Sequence, residues 1–521
     1  MDYELPNFLI IVTDQQRADC LGCYGNNVIK TPNLDRIAEQ GVQFVRAYVN
    51  NPLCMPSRAT LFTGKTPRGH HVRTNGIPLG WKETTLPTVL GKLGYKTHSV
   101  GKIHLRPFDI PRGSEAIKID PREFPESREV WHVKGLQKFP EPYYGLQSVD
   151  FVGGHGDYTY GDYLVWLKKE YPGKERMLQK EFALRPPSGA QQSWKSSIPE
   201  ELHPSTWIAD HTIAFLEKVV SEDRPFFLWC SFPDPHHPFC PPAPWCDMYD
   251  PENVPLPKML EDAKELDKMP PHFRITYSKG LLTSGTDTTP TKMSEREIRE
   301  IRAHTYGMIG LIDKNVGRIL DAVDRLNLDR KTIIVFLSDH GELLGDHGLC
   351  FKGPFHYEGL IRVPFIWRWT GHFPSGTVVD GLVSLLDFVP TILDIVGGEM
   401  PDEPVPPNPY RSWISWPCIP GKSLVSLLKG EKKKLHDSVL IENDEDYLNL
   451  KLRTLVTERY KITIYQGEGY GELFDFKDDP DEYENLWHSQ PHQTLKKELS
   501  QNLLHKIVET DDPLPRRLCH A

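Results

Sequence analysis

Residues 7–14, NFLIIVTD, form an unbroken apolar run closed by an aspartate, and residues 332–342, TIIVFLSDHGE, repeat the form. Runs this short, apolar on both faces, predict strands buried inside a parallel sheet. In open α/β sheets ligands gather at the carboxyl ends of the strands. The two runs therefore predict that Asp14 and Asp339 share one crevice, although 325 positions separate them. Between them, Ser294 and Glu297 have capping-box spacing, and Ile298, Ile301, Met308, Ile312, Val316, Ile319 and Val323 recur at helical intervals. PSTWIADHTIAFLEKV running into RPFFLWCSF gives a second helix-then-strand unit around 204–232. The predicted class is α/β: a large mixed, mainly parallel sheet flanked by helices.

Segments 106–200 and 240–293 are rich in Pro, Gly and charge and have weak periodicity, which reads as long excursions from the sheet that wall a substrate site. A proline-rich stretch at 401–421 breaks the pattern. Beyond it, LRTLVTERYKITIYQG and GELFDF read as short antiparallel strands and TLKKELSQNLLHKIV as a helix. The predicted division is a catalytic α/β domain at 1–424 and a small C-terminal α+β subdomain with an antiparallel sheet at 425–521.

Composition narrows the class. The 521 residues carry 61 Lys and Arg against 71 Asp and Glu, a formal charge of −10, with 10% aromatic and 25% charged residues. That is a soluble globular profile and weighs against nucleic acid as a partner. The start, MDYELPNFLIIVTDQQR, lacks the basic opening and longer apolar region of a signal peptide, and no window approaches the roughly 20 apolar residues of a membrane span. The expectation is a cytoplasmic protein without a membrane partner. Nine scattered cysteines fit a reducing compartment. Cys20 and Cys23 form a CxxC, but no second pair or nearby histidine completes a zinc site.

NPLCMPSRATLFTG, residues 51–64, holds the candidate chemistry. Pro56 suits the first turn of a helix through SRATLF, which puts Cys54 at the positive helix end, where anionic groups are stabilised. Arg58, about one turn on, offers a planar donor fork to an oxyanion. A thiolate-phosphatase signature would need Arg at 60, which is Thr. TGKT at 63–66 mimics a P-loop, but its first glycine would fall on Ala59. These fourteen residues alone leave a buried core cysteine as good a reading of Cys54.

CMPSR also matches the Cys-x-Pro-Ser-Arg signature of type I sulfatases. FLIIVTDQQRADCLGCYGN, TPNLDRIAEQGVQF, GYKTHSVGKIHL, PDPHHPF, SDHGELLGDHGLCFKGPFHYEGLIRVPFI and ELFDFKDDPDEYENLW resemble the same family in the same order. The resemblance covers most of the chain apart from the two excursions, and implies an alkaline-phosphatase-like fold and sulfate-ester hydrolysis. It implies that Cys54 is converted to formylglycine, whose hydrate attacks sulfur with one hydroxyl and expels sulfate through the other. It implies one divalent metal held by Asp14, Gln15, the modified Cys54, Asp339 and His340, with Asp339 also able to accept a proton from the hydrate. Gln15 stands where many members carry a second Asp. Calcium is the expected ion and manganese the alternative. Lys102 and Lys352 match sulfate-binding lysines, His104 a histidine that deprotonates the intermediate, and His236 the histidine that protonates the leaving oxygen, with the adjacent His237 as the alternative. Arg58 joins the lysines in meeting charge on the sulfuryl oxygens.

Asn75, in VRTNGI, sits where relatives place a polar residue near the nucleophile, and Asn-Gly is equally a turn signal. His356 is a candidate for the pocket wall. The implied partners are a small sulfated substrate (a sugar or aryl sulfate) and a maturation enzyme that generates formylglycine, with homo-oligomerisation left open. Two rival readings stand beside sulfate-ester hydrolysis. One is a phosphonate monoester or phosphodiester hydrolase on the same formylglycine site. The other is a non-catalytic binder of sulfated ligands with Cys54 a plain thiol.

Overall fold

The computed structural model describes residues 5–184, 189–190, 192–222, 224–260, 263–279, 291–398, 419–445 and 449–511. The apolar run at the N-terminus is β1 (Asn7–Thr13), buried along its whole length. The main sheet adds β2 (Val42–Phe44), β3 (Lys96–Gly101), β4 (Ser148–Gly153), β5 (Tyr160–Gly161), β6 (Phe226–Ser231), β7 (Thr332–Ser338), β8 (Phe365–Arg368) and β9 (Thr377–Val379). Their spatial order is β9-β2-β8-β7-β1-β6-β3-β4-β5. The five strands from β7 to β4 are parallel. β8 and β5 turn antiparallel at the two ends of that block.

Alternate residues of β1 serve two cores. Phe8, Ile10 and Val12 join one apolar cluster and Leu9 and Ile11 the other, so both faces are covered and the strand reads as a continuous apolar run. Thr13 pairs with Ser338, which brings Asp14 and Asp339 out of adjacent strands at the same level.

Four helices matter most. α1 (Cys54–Thr63) has all ten residues buried, α2 (Pro204–Val219) precedes β6, α3 (Glu295–Arg325) precedes β7, and α4 (Gln493–Glu509) lies near the C-terminus. The capping box on α3 forms as expected: Ser294 Oγ accepts from Glu297 N while the Glu297 carboxylate takes Ser294 N.

The stretch 106–200, read as leaving the sheet, instead supplies β4 and β5. Its strand SVDFVG is short and interrupted by an aspartate, which hid it. The stretch 240–293 does stay outside the main sheet where it is described. It contributes two short helices and the pair Thr291–Lys292, which meets Leu349–Cys350. The expected C-terminal unit is a four-stranded antiparallel sheet, β10 (Ser438–Glu445), β11 (Leu450–Thr457), β12 (Tyr460–Tyr465) and β13 (Gly471–Asp475), against which α4 packs. Of the proline-rich stretch, residues up to 418 lie outside the described residues, as do Cys418 and Cys519; the seven described cysteines are free thiols. Among the described residues no helix is long and apolar enough to cross a membrane.

Candidate active site

β1 and β7 end in the same crevice, and the N-terminus of α1 points into it. Leu53 caps that helix without a side-chain bond, and Cys54 is its first residue. Asn51 Oδ1 accepts Leu53 N at 3.0 Å and Asn75 Oδ1 accepts Met55 N at 3.0 Å, so the first turn is anchored from two sides. Cys54 Sγ lies 3.1 Å from His340 Nε2, 3.1 Å from Lys352 Nζ and 3.6 Å from Asp14 Oδ1.

Around the sulfur, donor atoms of Asp14, Cys54, Asp339 and His340 all lie within 4.8 Å of one another. Arg58, fully buried, ties the carboxylates together: Nε donates to Asp339 Oδ2 at 2.6 Å and Nη2 to Asp14 Oδ2 at 3.2 Å, while Nη1 donates to Lys102 O and Ser231 Oγ. Lys102 Nζ pairs with Asp14 Oδ2 and donates to His155 Nε2 at 2.7 Å. Lys352 Nζ donates to Gln15 Oε1 at 2.8 Å, to His236 Nε2 at 2.9 Å and to Cys54 Sγ at 3.1 Å. Arg58, Lys102 and Lys352 thus gather cationic donors around the Asp14 and Asp339 carboxylates, an arrangement suited to receiving an anion.

Burial alone would raise Asp14, but Lys102 and then Arg58 hold it well below the usual carboxylate range. Burial, with the Asp14 charge, raises the Cys54 thiol. Burial would lower Lys352, yet the Cys54 sulfur and Asp14 hold it above its ordinary value. Burial and Lys352 push His340 down to about 4. Burial, reinforced by neighbouring charge, also holds His104, His155 and His236 well below the imidazole range. The crevice therefore combines fixed cations with neutral imidazoles.

The structure brings Asp14, Gln15, Cys54, Arg58, Lys102, His236, Asp339, His340 and Lys352 into this one cluster. His237 stands behind it, with Nδ1 3.0 Å from Gln15 Nε2. His104 stacks on Phe108 at 3.8 Å, its backbone N held by Glu126, and its Nδ1 is buried without a hydrogen-bond partner. His356 does not join: its Nδ1 meets Thr454 Oγ1 at 2.7 Å, at the seam with the antiparallel sheet. Two participants were absent from the sequence reading. Glu342 accepts from Gln15 Nε2 and fixes that amide with its oxygen inward. His155 touches Lys102 and stacks on His236 at 3.6 Å. Only the glycine-flanked GGHGD at 153–157 signals it in the sequence. Asp14, His155 and His236 also have metal-ligand spacing, with Lys102 bonded to two of the three and Lys352 to the third.

A family model described as Sulfatase matches residues 6–398, and one described as N-sulphoglucosamine sulphohydrolase, C-terminal, matches residues 345–509. The chain is 30% identical to an arylsulfatase of Clostridium perfringens over 93% of its length and 91% of that protein's. It is 28% identical to the multifunctional alkaline phosphatase superfamily protein PehA of Trinickia caryophylli, over 96% and 94% of the two chains. Among solved structures it resembles the phosphonate monoester hydrolase of Agrobacterium radiobacter, with a TM-score of 0.79, 26% identity and 98% and 97% coverage.

Proposed function

From the premise that this chain belongs to the sulfatase family and is a sulfuric ester hydrolase, we propose that it cleaves small sulfated sugars or aryl sulfates at the Cys54 crevice. The nucleophile would be formylglycine made from Cys54, assisted by one divalent metal. The observation that carries this reading is the convergence of Asp14, His340 and Lys352 on Cys54 Sγ at a helix N-terminus, with Arg58 and Lys102 both bonded to the Asp14 carboxylate.

The donor set fits a metal. His340 Nε2 stands 3.8 Å from both Asp14 Oδ1 and Asp339 Oδ1, and its Nδ1 faces Gly341 O at 2.8 Å, which leaves the Nε2 lone pair turned inward. Carboxylate and amide oxygens, the latter from Gln15, suit calcium; the imidazole keeps manganese as the alternative. When bound, the ion would supply positive charge that acidifies a hydroxyl and polarises a sulfuryl oxygen. An aldehyde hydrate at position 54 would supply one hydroxyl to attack and a second to expel sulfate.

The chain's own residues do the rest. Lys102 and Lys352 meet the charge on the sulfuryl oxygens, and Arg58 holds the two carboxylates in register. Asp339 would accept a proton from the attacking hydroxyl. His236 Nε2, which accepts from Lys352 Nζ at 2.9 Å, takes that ammonium's proton and passes it to the leaving oxygen. The unpartnered His104 Nδ1 takes the proton of the hydroxyl that expels sulfate.

A second reading, phosphonate monoester hydrolysis, is favoured by Gln15 and by the similarity to the Agrobacterium enzyme. One preparation whose Cys54 peptide carries the aldehyde by mass separates them. We expect kcat/KM for a nitrophenyl sulfate to exceed that for a nitrophenyl phenylphosphonate by at least about tenfold, with Cys54→Ala inactive on both. A preference for the phosphonate overturns the reaction assigned here, and turnover by Cys54→Ala overturns the covalent route.

A further inference from the structure

His155 lies on a turn shaped to reach the crevice. It follows β4 between Gly154 (φ +76°) and Gly156 (φ +48°), conformations that side-chain-bearing residues rarely adopt. A Cβ on Gly156 would stand 2.6 Å from Cys240 Sγ and 2.9 Å from Pro238 O, on the loop that carries His236. The turn is then pinned from below: Asp157 accepts Ser196 Oγ at 2.6 Å and Trp194 Nε1 at 2.7 Å, and its own N meets Cys240 Sγ. Close approach of two backbones is what allows the rings of His155 and His236 to lie 3.6 Å apart and within 11° of parallel.

The edge of the same ring does separate work. An ammonium has three protons and no lone pair, so His155 Nε2 must accept from Lys102 Nζ across their 2.7 Å. Asp14 Oδ2 takes a second proton, which leaves the third for an oxygen of the substrate. Without His155, Lys102 would keep its ion pair to Asp14 but lose its second anchor, and His236 would keep its hydrogen bonds to His237 O and Lys352.

We propose that His155 is a positioning residue with two separable duties: its Nε2 fixes the Lys102 ammonium on the sulfuryl oxygens, and its ring face fixes the His236 imidazole at the leaving oxygen. This rests on the sulfatase reading above, and two substitutions take the duties apart. His155→Phe keeps a ring over His236 and removes the acceptor. His155→Gln keeps an acceptor near the Nε2 position and removes the ring.

Lys102 acts on oxygens common to every sulfate ester, whereas a leaving-group acid matters most when the leaving oxygen is basic. His155→Phe should therefore lower kcat/KM by about tenfold on nitrophenyl sulfate and on an alkyl sulfate alike, and weaken inhibition by free sulfate. His155→Gln should cost about 10- to 100-fold on the alkyl sulfate but within about threefold on nitrophenyl sulfate, with sulfate inhibition unchanged. Loss independent of the leaving group in His155→Gln, or no loss in either variant, overturns the proposal. If His155→Phe does not fold, the leaving-group ratio of His155→Gln alone decides. A wild type that turned over phosphonate esters and not sulfates would overturn the sulfatase reading only. The same variants on phosphonates with two leaving groups would then decide His155.

Discussion

Arg58 shows how one buried side chain can hold an acidic site together. Its side chain and those of Asp14 and Asp339 are wholly inaccessible to solvent, and its planar fork bonds both carboxylates at once. Removing one member of such a buried pair leaves a charge without a partner, which costs about 3–5 kcal/mol. Arg58→Ala should lower the free energy of urea unfolding by that order in a chelator. Millimolar calcium should shrink the deficit, since a cation on the same carboxylates replaces part of the lost charge and stabilises the native state by mass action. An equal deficit with and without metal would refute Asp14 and Asp339 as its ligands. Arg58→Lys restores charge but not the fork and should recover only part of the loss. The spacing of Cys54 and Arg58 was legible in the sequence because it is local, four positions on one helix, but that stretch left a core cysteine an equal reading until the family resemblance was added. Glu342 and His155 were not, since each acts through a residue distant in sequence, Gln15 or His236, that only folding brings alongside.

At the scale of elements, α2 depends on an unusual cap. His203, 1% exposed, accepts Ser205 N on its Nδ1 at 3.2 Å, so the imidazole must be neutral there, and a cation would oppose the helix dipole. Burial pushes its pKa from 6.5 down to about 3. With the folded value depressed, the unfolded chain binds the proton first as pH falls. The stabilisation is therefore complete above about pH 6.5 and drains away toward pH 3, at about 1.4 kcal/mol per unit. His203→Asn, a cap that cannot ionise, should flatten the pH dependence of unfolding between about pH 6.5 and 5 by one proton's worth. An unchanged slope would refute the neutral cap. The elements themselves were readable where burial writes a period: β1, β7 and α3 follow from apolar runs and a capping box. β4 was missed because Asp150, on its edge toward His98 and His211, breaks the apolar run, and that lost strand is what delivers His155.

At the scale of the whole molecule, the two predicted units are stitched together at the turn that leads into Cys54. Asn51 Nδ2 donates to Glu442 O in β10 at 2.7 Å, Glu442 N donates to Asn50 O at 2.8 Å, and Asn51 Oδ1 holds the first turn of α1. Val439, Ile441 and Val456 lie in the same apolar cluster as Phe8 and Ile10. Beyond the crevice, Tyr357 OH donates to Glu472 at 3.0 Å and Glu358 N to Glu482 at 2.8 Å, while Lys461 bonds to His356 O. Sequence composition suggested a boundary near 424 because the proline-rich stretch interrupts periodicity, but composition cannot register contacts that cross it. A shared core and a shared strand-to-helix junction predict cooperative loss of both sheets. Calorimetry should therefore give one unfolding transition coincident with the loss of activity. Asn51→Ala, which cuts one link from the C-terminal sheet to α1, should lower kcat by about tenfold while Tm falls by no more than about 5 °C. Two resolved transitions, with activity surviving the first, would show that the antiparallel sheet is a passenger rather than part of the support for Cys54.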